Sequence, residues 1–105
     1  RAGLRCLTGL AGIYLAVQEY EKARPVVEQT LACWKDDKTC LEQAVELYSA
    51  VEEVVKLKKY ALRLVRKYPG SVAGHQALAR CYLAEGDVAR VKEHAALARK
   101  LRANS

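Results

Sequence analysis

Three tyrosines, Tyr14, Tyr48 and Tyr82, stand 34 residues apart in both steps, each at the same place in a matching hydrophobic frame. Seven residues before them come Leu7, Leu41 and His75; four before, Leu10, Ala44 and Leu78; three before, Ala11, Val45 and Ala79. After them, in the same register, come Tyr20, Val54 and Val88, then Ala23, Leu57 and Val91, then Val27, Ala61 and Ala95, then Thr30, Leu64 and Ala98. Spacings of three and four put these residues on one stripe of a helix, and the small residue beside each bulky one lets a second helix approach closely. Each copy therefore reads as a helical hairpin. Such a unit cannot bury its apolar face alone, so copies must stack and share one elongated core, presenting a surface rather than a catalytic cleft.

These residues resemble the tetratricopeptide repeats, whose pattern is large–leucine–small–tyrosine in the first helix and alanine–aromatic–alanine–proline in the second. The first copy matches with Leu7, Leu10, Ala11, Tyr14, Tyr20 and Ala23, and the third with Leu78, Ala79, Tyr82, Gly86 and Asp87. The middle copy contributes Leu41, Tyr48, Ala61 and the closing Pro69. The resemblance implies an all-α, right-handed solenoid of three antiparallel helical hairpins, at about residues 4–37, 38–71 and 72–105 of a single domain. Departures are His75 for a large apolar residue, Thr30 for alanine, and Lys35 where the first copy would end in proline.

At 105 residues, 51 % hydrophobic and 29 % charged, the chain has enough apolar material for one core. No apolar run approaches the roughly 20 residues that span a bilayer. Arg1 stands where an initiator methionine would be and no basic-then-apolar leader comes after it, so a fragment of a longer intracellular protein, cytoplasmic or nuclear, is expected.

Local signals place the helix ends. Thr39 followed by Glu42 has capping-box spacing and predicts the start of the third helix. Tyr68-Pro69-Gly70-Ser71 ends the second copy, with Ser71 capping the next helix, and Gly86-Asp87 forms the last turn with Asp87 as N-cap. Pro25 is tolerable if its helix starts at about Glu21, where early N–H groups have no acceptor anyway. Residues 50–53 carry no glycine, proline or asparagine, leaving one long helix over 39–67 open as an alternative. A break is favoured, since continuing the stripe would put Lys58 in the core.

Chemistry-bearing constellations are sparse. Cys6, Cys33, Cys40 and Cys81 include no C-x-x-C pair and are read as reduced, partly buried thiols. His75 and His94 fall on different helices with no carboxylate or cysteine at ligand spacing. No phosphate loop or Ser/His/Asp grouping occurs. No enzymatic activity, metal or cofactor is therefore expected.

The resemblance implies that non-core positions of each first helix line a concave groove. These are Arg5, Thr8, Gly12 and Leu15, then Thr39, Glu42, Glu46 and Ser49, then Ala73, Gln76, Arg80 and Leu83. An extended peptide or helix of a partner protein suits such a mixed groove. Family members that clasp acidic chaperone tails carry several cationic and amide donors there. Thr8, Gly12, Gln43, Ala73 and Ala77 occupy those places here, so that chemistry is missing.

The net charge of +6 concentrates in Lys56, Lys59, Arg63, Arg66 and Lys67, at helical spacing opposite Val54, Leu57, Ala61 and Leu64. Such a convex basic stripe is a candidate site for RNA or another polyanion, diluted at its start by Glu52 and Glu53. In the last helix Val88, Val91, Ala95, Ala98 and Leu101 are expected to face their own hairpin. Ala96 and Leu97 are then left where a further helix would dock, so further repeats, self-association or a bound partner are expected to cover that end.

Overall fold

The structure is a computed structural model that describes residues 3–104. Its architecture is set by three turns in one register. Gln18, Glu52 and Gly86, again 34 apart, hold the left-handed backbone conformation, with φ of 63°, 59° and 79°. Each closes a helix in the same way. The N–H groups of Glu19, Glu53 and Asp87 donate to the carbonyls of Tyr14, Tyr48 and Tyr82 at 2.8, 3.0 and 2.9 Å. Those of Gln18, Glu52 and Gly86 donate to Leu15, Ser49 and Leu83 at 3.1, 3.3 and 3.1 Å. This double closure satisfies carbonyls that a helix end would otherwise leave bare. The repeated tyrosine thus marks a fixed distance from the turn.

Six helices result: α1 (Leu4–Ala16), α2 (Tyr20–Cys33), α3 (Lys38–Ala50), α4 (Val54–Lys67), α5 (Val72–Glu85) and α6 (Val88–Ala103). The middle copy is broken between Ala50 and Val54, as the slipped apolar stripe requires, even though a glutamate must take the left-handed position. Ser71 and Asp87 cap α5 and α6, accepting from the N–H of Gly74 at 3.1 Å and of Arg90 at 3.2 Å.

One expected start is corrected, and Pro25 is tolerated for a different reason than expected. The cap of α3 is Asp37, whose carboxylate accepts from Cys40 N–H at 3.1 Å, so Thr39 and Glu42 lie inside the helix and form no capping box. A carboxylate at this position also complements the positive end of the helix dipole, which a hydroxyl does not. Helix α2 begins at Tyr20, so Pro25 lies beyond the positions with free N–H groups and leaves the Glu21 carbonyl without its i+4 donor. Pro25 is exposed, where water reaches that carbonyl's side of the helix.

Hairpin partners α1/α2, α3/α4 and α5/α6 pack together, and the odd helices form one layer, α1 on α3 and α3 on α5. Each even helix also packs on the odd helix that comes next, α2 on α3 and α4 on α5, and among the described residues no two even helices pack on each other. The result measures 45 × 26 × 23 Å. One core runs through it, from Ala11, Ala23 and Val27 through Leu41, Leu47, Tyr48 and Leu64 to Leu78 and Tyr82. Gly74 marks the closest approach of α5 to α4: a Cβ there would meet Val65 Cγ1 at 2.7 Å and Leu64 Cγ at 3.3 Å.

The departures from the repeat pattern are accommodated locally. Thr30 is buried with its hydroxyl donating to the Val27 carbonyl at 2.8 Å, and His75 is buried with both ring nitrogens engaged. Among the described residues no helix is long and apolar enough to cross a membrane.

Candidate functional site

The odd-helix layer carries an open cleft of about 430 Å³ between α3 and α5. Helical spacing puts Glu42, Glu46 and Ser49 on one wall and Ala73, Gln76 and Arg80 on the other, over a floor of Val45 and Ala77. Arg80 Nη1 donates to Ser49 Oγ at 2.6 Å, which ties the two walls together. Among the described residues neither Glu42, Glu46 nor Arg80 is in an ion pair. The cleft therefore offers two uncompensated carboxylates and one uncompensated guanidinium a few turns apart, with an apolar strip between them.

The first copy's candidates fall elsewhere. Arg5 and Thr8 line a separate cleft of about 390 Å³ with Leu4, Asp37 and Thr39. Gln43 of α3 ties that helix to α1 beside this cleft. Its Nε2 donates across to the Thr8 carbonyl at 2.7 Å, over Gly12, where an added Cβ would lie 3.6 Å from the amide nitrogen. Leu15 is a correction: expected in the groove, it is 4 % exposed and belongs to the core, because α1 rotates it against α2 and α3. Leu83 does face outward, beside Ser49, Glu52 and Arg80 in a third cleft of about 260 Å³.

The basic stripe is divided by its surroundings. Lys56, Lys59 and Arg63 line a cleft of about 330 Å³ between α2 and α4, together with Glu28, Tyr48 and Tyr60. The Tyr48 and Tyr60 rings stack at 5.7 Å and 12°. Lys59 and Arg63 both lie over Tyr60, at 5.3 and 5.5 Å, with no carboxylate in ion-pair range among the described residues. Lys56 is instead engaged, 3.6 Å from Glu53 and 5.4 Å from the Tyr48 ring. Tyr48 OH donates to Glu28 at 3.4 Å, and burial, with the Glu28 charge behind it, pushes its pKa up to about 12. Arg66 and Lys67 stand apart in the last turn of α4, where cations complement the helix dipole.

At the far end, Ala96 and Leu97 are exposed, but Val88 is also exposed rather than turned into its hairpin. Its counterparts Tyr20 and Val54 also open their helices directly after the cap and are half-buried, but Val54 is reached by Cys81 of the next hairpin, and among the described residues no hairpin comes after α6. In the column that packs one hairpin on the next, Leu31 and Val65 are followed by Arg99, and Trp34 and Tyr68 by Arg102. The last copy's outer side is therefore charged where the inner copies are apolar.

Of the four free cysteines, Cys6 and Cys33 are exposed, while Cys40 and Cys81 are buried, which raises their thiol pKa values. Sequence reasoning missed one pairing outright: His75 and His94 meet across α5 and α6, and His94 stacks on Tyr82 at 5.5 Å. No spacing rule covers two histidines 19 residues apart on antiparallel helices. Compared with known proteins, the chain matches no family model and no curated protein.

Proposed function

We propose that this chain is a non-catalytic protein-interaction module of the tetratricopeptide-repeat type, holding an extended peptide or helix of a partner protein in the α3–α5 cleft. One observation carries the reading: Glu42 and Glu46 face Arg80 across an apolar floor without neutralising it. Charged groups left unpaired on a rigid helical frame supply orientation and discrimination, while the apolar strip supplies burial. The threefold turn geometry supports the assignment to this repeat type, because the repeated closure at Tyr14, Tyr48 and Tyr82 fixes each hairpin in the same frame. Selection from a random peptide library should enrich ligands bearing both a cation and a carboxylate. Arg80→Glu should weaken the enriched peptides about tenfold, and Glu46→Arg should change which peptides are selected. Enrichment indifferent to both changes would remove the cleft from consideration.

A second reading has its own observation, the uncompensated Lys59 and Arg63 on Tyr60. In it the α2–α4 cleft binds RNA or another polyanion, with an affinity that falls steeply with salt. One double variant separates the two clefts: Lys59→Glu with Arg63→Glu abolishes RNA binding in this reading and leaves peptide selection intact in the first.

A further inference from the structure

The three copies can be used as controls for one another. The column of Ile13, Leu47 and Cys81 is 0 % exposed in the second and third copies and 62 % exposed in the first. Leu10 is 39 % exposed where Ala44 and Leu78 are sealed, and Val17 is 61 % exposed. These three apolar side chains, at spacings of three and four, form one stripe along α1. What seals the same stripe in the other copies is visible: α2 packs on α3, and α4 packs on α5.

We propose that α1 is the docking surface for one amphipathic helix of a partner protein, seated as α4 is on α5. The site is separate from the α3–α5 cleft and does not depend on the reading given to it. The occupant's chemistry is set by the helices that fill the equivalent places. Arg24 lies 5.9 Å from the Tyr48 ring and Lys58 lies 5.0 Å from the Tyr82 ring, each reaching forward from the preceding hairpin. Tyr14 has no such cation among the described residues. Beyond the cation, both helices present a small aliphatic residue three positions on, Val27 or Ala61, then an apolar residue, Leu31 or Val65, and then an aromatic, Trp34 or Tyr68. Val65 is the side chain that presses on Gly74 of α5. The partner helix therefore carries a cation for Tyr14 followed by an aliphatic–aliphatic–aromatic stripe over the next ten or so residues, about three turns.

A second copy of this chain fits poorly. Its α6 would offer Lys92 and Ala95 in the first two places but Arg99 and Arg102 in the last two. Two guanidinium groups would then be desolvated against the first turns of α1, in the places where α2 and α4 seat an aliphatic and an aromatic side chain on the next hairpin.

A lactam-constrained peptide with the sequence of residues 54–69 reproduces the stated pattern and serves as the probe. Titrated into the whole chain and followed by anisotropy and methyl NMR, it should bind saturably, shifting Leu10, Ile13 and Val17. Ile13→Asp in the protein, or Val65→Asp in the peptide, should weaken binding about tenfold, whereas Val55→Asp in the protein should leave it unchanged. The proposal is overturned by absence of binding, by shifts centred on α5, which would mean displacement of the native α4, or by a concentration-dependent dimer in sedimentation that Ile13→Asp abolishes.

Discussion

His75 Nδ1 lies 3.1 Å from His94 Nδ1, and His75 Nε2 lies 2.8 Å from the Pro69 carbonyl. The carbonyl can only accept, so His75 carries its proton on Nε2 and its Nδ1 accepts from His94 Nδ1–H. One proton fits between the two Nδ1 atoms; two do not. Burial lowers the His94 pKa below its ordinary 6.5, with the charge of His75 next, and Arg90 adds to the effect while Glu93 opposes it. Because the folded pKa is depressed, the unfolded chain binds the extra proton first. Stability is therefore complete above about pH 6.5 and declines as pH falls toward the folded-state value. Urea midpoints measured between about pH 7.5 and 5.5 should fall, and His94→Phe should flatten the decline. An unchanged slope in that variant would exclude this pair as its origin. Glu53, held low by Arg24 at 2.6 Å, gives up its contribution from about its ordinary pKa of 4.5 downward, below the window in which His94 titrates.

The three left-handed turn residues differ in chemistry but not in geometry, which makes them a matched set. Gln18 and Glu52 bear a Cβ in a conformation that costs a non-glycine residue about 1 kcal/mol, whereas Gly86 does not. Glu52→Gly should raise stability by about 0.5–1 kcal/mol despite the added freedom of the unfolded chain, and Gly86→Ala should lower it by about 1 kcal/mol. A rise for Glu52→Gly together with a fall for Gly86→Ala in thermal melts is the diagnostic result. The reverse pair of signs would mean that loop entropy, rather than the left-handed strain, controls these positions.

The architecture was legible because the core stripe and its tyrosine repeat at one interval; of the three left-handed turns only Gly86 is marked by its residue type, and the turn after Ala50 carries no glycine, proline or asparagine. Fine rotation was not. Leu15 and Leu83 occupy the same column, yet the first is buried and the second is 66 % exposed, since α3 packs on α1 while among the described residues no odd helix comes after α5. A helical pattern gives the width of an apolar stripe but not which neighbour covers it. For the same reason the eye falls on Ala96 and Leu97, while the larger uncovered stripe is Leu10, Ile13 and Val17. The residues that line the α3–α5 cleft are among those the family resemblance implied; the Arg80–Ser49 bond and the aromatic seat of Lys59 and Arg63 depend on side-chain placement across helices.

Gly74 and Val65 should be energetically coupled. A methyl added at residue 74 enters the space of Val65 Cγ1, and a β-branched side chain has little freedom to turn aside. Ala is the better helix former by about 1 kcal/mol, but overpacking a core contact costs about 1–3 kcal/mol, so Gly74→Ala should be destabilising on balance. In the Val65→Ala background the same change should become neutral or stabilising. Additive effects across this double-mutant cycle would show that α4 can shift to make room.

Asp37 and Thr39 compete for one role at the start of α3, and the structure gives it to Asp37. Its carboxylate reaches Cys40 N–H at 3.1 Å, while its own carbonyl accepts from Leu41 N–H at 3.0 Å, so residue 37 satisfies two donors of the first turn. Asp37→Ala should cost about 1 kcal/mol, with Asp37→Asn retaining most of the bond but losing the interaction with the helix dipole. Thr39→Ala, at an exposed position inside the helix, should change stability by less than about 0.5 kcal/mol or improve it slightly through propensity. Chemical denaturation of the three variants decides the matter. A larger loss for Thr39→Ala than for Asp37→Ala would return the cap to the hydroxyl and move the start of α3 two residues along the chain.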